Sequence, residues 1–219
     1  MVSLKKLGNC LSFFLSPPCC LHCKKALGER SHFCENCFEK IQPIVSYELS
    51  ITQNKNIKVH AISHYNQLLR PLILSKRTKN VSGSYILADL IWCKTVFSQL
   101  ACDYLVPVPL HWTRRFMRGF NQAEEIAAIL AKRKGATVTP ILKRIYQTKY
   151  QADVPIEQRE ENVAHAFSLK KLDIKKYRGK HLILIDDLMT TGNTLKYAAR
   201  ELFLLQPASI SAVVACRAM

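Results

Sequence analysis

Asp186 and Asp187 stand side by side where the apolar run His181–Ile185 ends, and after Leu188 and Met189 comes Thr190-Thr191-Gly192-Asn193-Thr194. Ionised carboxylates only accept hydrogen bonds, so the pair can take the hydroxyls of a sugar or hold Mg²⁺, but it cannot bind phosphate itself. The segment behind it has the opposite character. Backbone N–H groups at a helix start, joined by the hydroxyls of Thr190, Thr191 and Thr194, make a cradle for an anion. A ligand with a phosphate at one end and a diol at the other satisfies both, and ribose 5-phosphate is such a ligand. The loop has no Gly-Lys-Ser/Thr, so it is not a Walker loop. Phospho-acceptor receiver domains also end a strand in acidic residues, but without a Thr/Gly cradle directly after. A Thr N-cap on a plain strand-to-helix turn explains the loop and leaves the two carboxylates unexplained.

A second chemistry sits near the N-terminus. Cys20-x2-Cys23 and Cys34-x2-Cys37 are two pairs separated by ten residues. Each pair can bring two sulfurs to one ion across a tight turn, and two pairs complete a tetrahedral thiolate site of the kind that suits structural Zn²⁺. Cys19 could stand in for Cys20, and His22 or His32 for one thiol, so the ligand set stays open at this point. Residues 15–45 have too little apolar content for a core of their own, which a metal would offset. Of the nine cysteines, Cys10, Cys93, Cys102 and Cys216 stand alone, mostly in apolar surroundings, and read as core residues.

A third pattern is cationic. The net charge is +16, and residues 110–180 alone carry 16 basic against 7 acidic side chains. That excess fits a polyanion: nucleic acid, a phosphorylated small molecule or an anionic membrane surface. Within it, Trp112, Phe116 and Phe120 interleave with Arg114, Arg115 and Arg118. Aromatic rings can stack on unpaired bases while arginines follow phosphates. The same arginines, or Lys76 and Arg77, could instead clamp a pyrophosphate group. The plainer alternative is that the rings are buried and the arginines solvated.

These groups need elements to position them. Residues 57–65 and 103–110 read as strands, 82–100 and 121–133 as helices, and Arg159–Phe167 as a short helix. His181–Ile185 reads as a strand, 194–205 as a helix and 209–215 as the returning strand, a right-handed βαβ unit that implies a parallel sheet. Ligands of such sheets bind at the carboxyl ends of the strands, where the acidic pair lies. Gln42–Asn56, polar with a proline, reads as a linker, which divides the chain into an N-terminal zinc-finger-like module over 1–45 and an α/β domain over 57–219. No apolar run approaches the roughly 18 residues that span a bilayer. The brief patch after Lys5 and Lys6 is too short for a signal peptide, and the expected location is the cytoplasm.

"ILIDDLMTTGNTL" (183–195) resembles the PRPP-binding motif of type I phosphoribosyltransferases. The resemblance implies a phosphoribosyltransferase-like parallel sheet with flanking helices. It also implies a PRPP site at Asp186, Asp187, Met189, Thr190, Thr191, Gly192, Asn193 and Thr194, with Mg²⁺ accompanying PRPP. Asn193 stands where the familiar enzymes often have a second glycine, and Asn tolerates left-handed backbone better than most residues. The segments 106–127, 144–151 and 158–167, with the leading cysteine pairs, together resemble the ComF family of competence proteins. That resemblance implies a role in natural transformation, handling incoming single-stranded DNA. It further implies a DNA-translocating helicase as a partner and a place at the inner face of the membrane. A true phosphoribosyltransferase acting on an unidentified nucleophile is the alternative, since no segment reads as a nucleobase pocket.

Overall fold

The computed structural model describes residues 18–28, 31–75, 81–110, 113, 115–116, 119–145 and 166–218. Contacts divide the chain into two units, Met1–Gln42 and Pro43–Met219. In the first, an antiparallel bridge joins Cys19 to Ala26. The turn between them closes through the Lys24 N–H and the Cys20 carbonyl at 3.0 Å, with Lys24 left-handed at φ 63°. The only helix among its described residues is α1 (Glu35–Glu39), which starts from Cys34.

The second unit opens on a difference from the sequence reading. The stretch taken for a linker is mostly strand β1 (Ile44–Thr52), which turns into the antiparallel β2 (Lys55–His64). Tyr47, Leu49 and Ile51 alternate with Glu48, Ser50 and Thr52, and this period-two pattern buries Leu49 and Ile51 on one face. Then follow α2 (Arg70–Leu74), α3 (Ser82–Lys94), β3 (Tyr104–Pro107), α4 (Gln122–Lys134) and β4 (Thr137–Val138). The chain continues through β5 (Leu142–Arg144), β6 (Phe167–Leu169), β7 (His181–Met189), α5 (Asn193–Phe203) and β8 (Ser209–Arg217). The main sheet has the order β1-β2-β8-β7-β3-β4. Every pairing in it is parallel except the β1–β2 hairpin, so the expected parallel α/β sheet is present with one antiparallel edge.

Alternation along the central strands buries both faces. Val59, Ala61, Leu182, Leu184, Ala212 and Val214 share one cluster with Leu195, Ala198, Ala199 and Leu202 of α5. The intervening Ile62, Ile183, Ile185 and Val213 are equally buried, on the side where α3 and α4 pack. The sequence of α4 suits both of its ends. Asn121 caps it by accepting the Ala123 N–H at 3.2 Å, Glu124 and Glu125 occupy the first turn, Lys132, Arg133 and Lys134 the last, and left-handed Gly135 ends it.

Several boundaries move. The helix read over 82–100 stops at Lys94. There Thr95 turns extended and its hydroxyl accepts the Phe97 N–H at 3.2 Å, starting a separate 3-10 turn over Val96–Gln99. Phe167, read as a helix end, opens β6 instead, paired with β5; residues 159–165 lie outside the described ones. Of the three described lone cysteines, Cys216 is buried, Cys93 is exposed and Cys102 half-buried. Cys10 lies outside the described residues.

Candidate ligand and metal sites

The acidic pair does not follow the strand, as the sequence suggested; it lies within it. β7 runs on to Met189 because β8 runs on beside it, pairing Asp186 with Val214, Leu188 with Cys216 and Met189 with Arg217. Asp186 and Asp187 are half-buried at this carboxyl end, and the Asp187 N–H donates to Asp186 Oδ1 at 2.8 Å. That bond holds the first carboxylate in place against the like charge beside it.

Beyond Met189 the chain turns sharply through Thr190 and Thr191, both exposed, to Gly192, which is buried. Gly192 is left-handed at φ 84° and forms the N-cap of α5. A Cβ there would come within 2.9 Å of Leu49 Cδ1 and push that side chain aside, while the left-handed turn itself favours glycine. Asn193 is already helical, so the left-handed tolerance expected of it is not used. Gly192, as the N-cap residue, has no side chain with which to cap α5; the Asn193 N–H donates instead to Thr191 Oγ1 over a long 3.5 Å. Lys196 N–H closes the first helical turn on the Gly192 carbonyl at 2.9 Å.

A cleft of about 370 Å³ opens beside this turn, lined by Tyr47, Met189, Thr190, Thr191, Arg217 and Ala218. Tyr47 and Arg217 were not among the residues singled out from the sequence. Arg217 ends β8, and its guanidinium carbon lies 3.9 Å from the centre of the Tyr47 ring, a cation–π contact.

The basic–aromatic segment is described only in part. Arg115 is exposed and bonded through Nη1 to Glu124 Oε1 at 2.6 Å. Phe116 is 87% exposed and Phe120 half-buried, so the reading in which these rings are all buried does not hold. Lys76, Arg77, Trp112, Arg114 and Arg118 lie outside the described residues.

In the first unit, the sulfurs of Cys20, Cys23, Cys34 and Cys37 all lie within 4.8 Å of one another. Tetrahedral zinc with bonds of about 2.3 Å sets its sulfurs about 3.8 Å apart, so the cluster could hold one metal ion. Cys23 Sγ and Cys34 Sγ are 3.6 Å apart, far beyond a disulfide bond. The Leu21 N–H donates to the His32 carbonyl at 3.0 Å and ties the two Cys-x2-Cys loops together. Burial works to raise the Cys20 thiol, but the backbone N–H groups of Cys34, Cys23 and His22 outweigh it and draw the thiol down to about 6. Cys37 is pushed up to about 12, first by burial and then by the neighbouring sulfurs. Four thiols this close cannot all ionise without a cation among them. Cys19, His22 and His32 are not members of the cluster.

Residues 117–219 match the phosphoribosyl transferase domain. The chain is also similar in sequence to competence and DNA-utilization proteins. Competence protein F of Haemophilus influenzae is 29% identical over 205 residues, 89% of this chain and 82% of that one. The DNA utilization protein YhgH of Salmonella typhi is 26% identical over 91% of this chain and 84% of its own length. Competence protein ComFC of Bacillus subtilis is 36% identical over 98 residues, 44% of this chain and 36% of the relative. Among solved structures, adenine phosphoribosyltransferase from Saccharomyces cerevisiae is 13% identical with a TM-score of 0.39, covering 85% of this chain and 90% of that one. No helix among the described residues is long and apolar enough to cross a membrane.

Proposed function

We propose that this chain is a DNA-uptake protein that binds PRPP or a related ribose phosphate at the β7–α5 turn and handles incoming single-stranded DNA. One observation carries the ligand half. The paired carboxylates lie near the carboxyl end of a central strand, and a turn through left-handed Gly192 then leads into the start of α5. In this reading Asp186 and Asp187 take the ribose hydroxyls and hold Mg²⁺. Thr190, Thr191, Thr194 and the N–H groups of Gly192 and Asn193 take the 5-phosphate, and Met189 packs beneath the turn. Cys20, Cys23, Cys34 and Cys37 hold Zn²⁺ in a structural role, organising the N-terminal module, and the unit that begins at Pro43 forms the phosphoribosyltransferase-like domain. The DNA half is supported by the names of the relatives and by the cationic excess. Arg115 and the exposed Phe116 are the described candidates for contact with a strand. A helicase-type partner and a position at the inner face of the membrane follow from the same family reading.

Phosphoribosyl transfer to an unidentified nucleophile is the second reading, and the matched transferase domain favours it. Calorimetry with Mg²⁺–PRPP on wild type and on Asp186→Asn/Asp187→Asn tests the ligand site. At least a tenfold loss of affinity, about 1.4 kcal/mol, is expected in the double variant. Unchanged affinity would move the site elsewhere. Release of pyrophosphate in the presence of candidate bases would favour the transferase.

A further inference from the structure

We infer that Arg217 is an anion-binding residue of the β7–α5 cleft, with Tyr47 as its positioning residue, so that a bound phosphate is gripped from two sides. This rests on the ribose-phosphate reading of the turn and adds a residue to it. The guanidinium lines the same cleft as Thr190 and Thr191. Its place is set by backbone on both flanks. Arg217 pairs with Met189 in the sheet, its carbonyl accepts the Tyr65 N–H at 2.7 Å, and Ala218 N–H donates to the Met189 carbonyl at 2.8 Å.

Tyr47 holds the Arg217 guanidinium over its ring, 3.9 Å from the centroid, and a guanidinium carries its N–H donors as a planar fork. A planar fork of this kind matches two oxygens of a phosphate. Among the described residues, no carboxylate forms an ion pair with Arg217. The cleft therefore combines two hydroxyls with a cation whose charge no described carboxylate neutralises, which suits a phosphate monoester. The acidic pair then serves the other end of the same ligand.

The test titrates wild type, Arg217→Gln, Arg217→Lys and Tyr47→Leu with ribose 5-phosphate and with inorganic phosphate, each followed by calorimetry, with melting curves as a check on folding. Arg217→Gln is expected to weaken both ligands tenfold or more. Arg217→Lys should restore part of the phosphate affinity, since it returns the charge without the fork. Tyr47→Leu should give an intermediate loss for both ligands. If wild type binds ribose 5-phosphate and Arg217→Gln binds it equally well, the inference is overturned and the ribose-phosphate reading stands. If inorganic phosphate binds as tightly as ribose 5-phosphate and only Arg217→Gln loses it, the anion contact stands and the ribose reading falls. If wild type binds neither, both are overturned. A loss in Arg217→Gln that Arg217→Lys does not relieve, accompanied by a lowered melting temperature, would make Arg217 a packing residue and also overturn the inference.

Discussion

Gly192 concentrates two demands in one residue: a left-handed backbone at φ 84° and a Cα that Leu49 approaches too closely for a Cβ. The left-handed strain alone costs an L-residue about 1–2 kcal/mol. Gly192→Ala is therefore expected to lower stability by at least that amount in urea unfolding. It should also weaken ribose 5-phosphate binding, because the turn must open to admit the methyl group. The carboxylates and the cysteines were legible in the sequence because their chemistry is local: adjacency in one case, Cys-x2-Cys in the other. Tyr47 and Arg217 were not, because they lie 170 positions apart and meet only through the strand order β1-β2-β8. No spacing rule within a segment reports that order.

At the scale of elements, each Cys-x2-Cys loop supplies half of one site, so neither can hold a metal without the other. Changing any of Cys20, Cys23, Cys34 or Cys37 to Ser is expected to reduce zinc content well below one per chain. It should also expose residues 18–42 to proteolysis before the rest; elemental analysis and limited digestion check both. In the second unit, Asp103 joins the starts of β3 and β7. Its carboxylate accepts the His181 N–H at 2.8 Å, with Lys180 at 3.4 Å. The His181 N–H, more than Lys180, holds the Asp103 carboxyl below its usual value. A carboxyl depressed in the folded state adds stability that is present above its unfolded value, about 3.9, and lost as the pH falls through the lower folded value. Asp103→Asn should flatten the melting temperature against pH below about pH 4 and leave the neutral side nearly parallel to wild type. Element types were mostly legible from apolar periodicity, as α4 and β7 illustrate. Their ends were less so. β7 keeps Asp186–Met189 in the strand because β8 pairs with them, and β1 escaped notice because its alternating polar residues read as a linker.

Over the whole molecule, the +16 charge makes any strand binding steeply salt-dependent. If Arg115 neutralises one phosphate of a single strand, Arg115→Gln should flatten the slope of log affinity against log salt by about 0.7. Phe116→Ala should leave that slope alone and cost about 1–3 kcal/mol if the ring stacks on a base. Fluorescence titration of single-stranded DNA across a salt series separates the two effects. The sheet order has a consequence for biosynthesis as well. β8, made after the other described strands, inserts between β2 and β7. Until it arrives, β2 has a hydrogen-bonding edge facing nothing but its hairpin partner on the other side. Residue 64 ends β2 and residue 209 begins β8, and at about 5–20 residues per second the ribosome needs on the order of ten seconds to cover that distance. Through that interval the nascent hairpin offers an open template to other chains, so holding it apart falls to chaperones or to dilution.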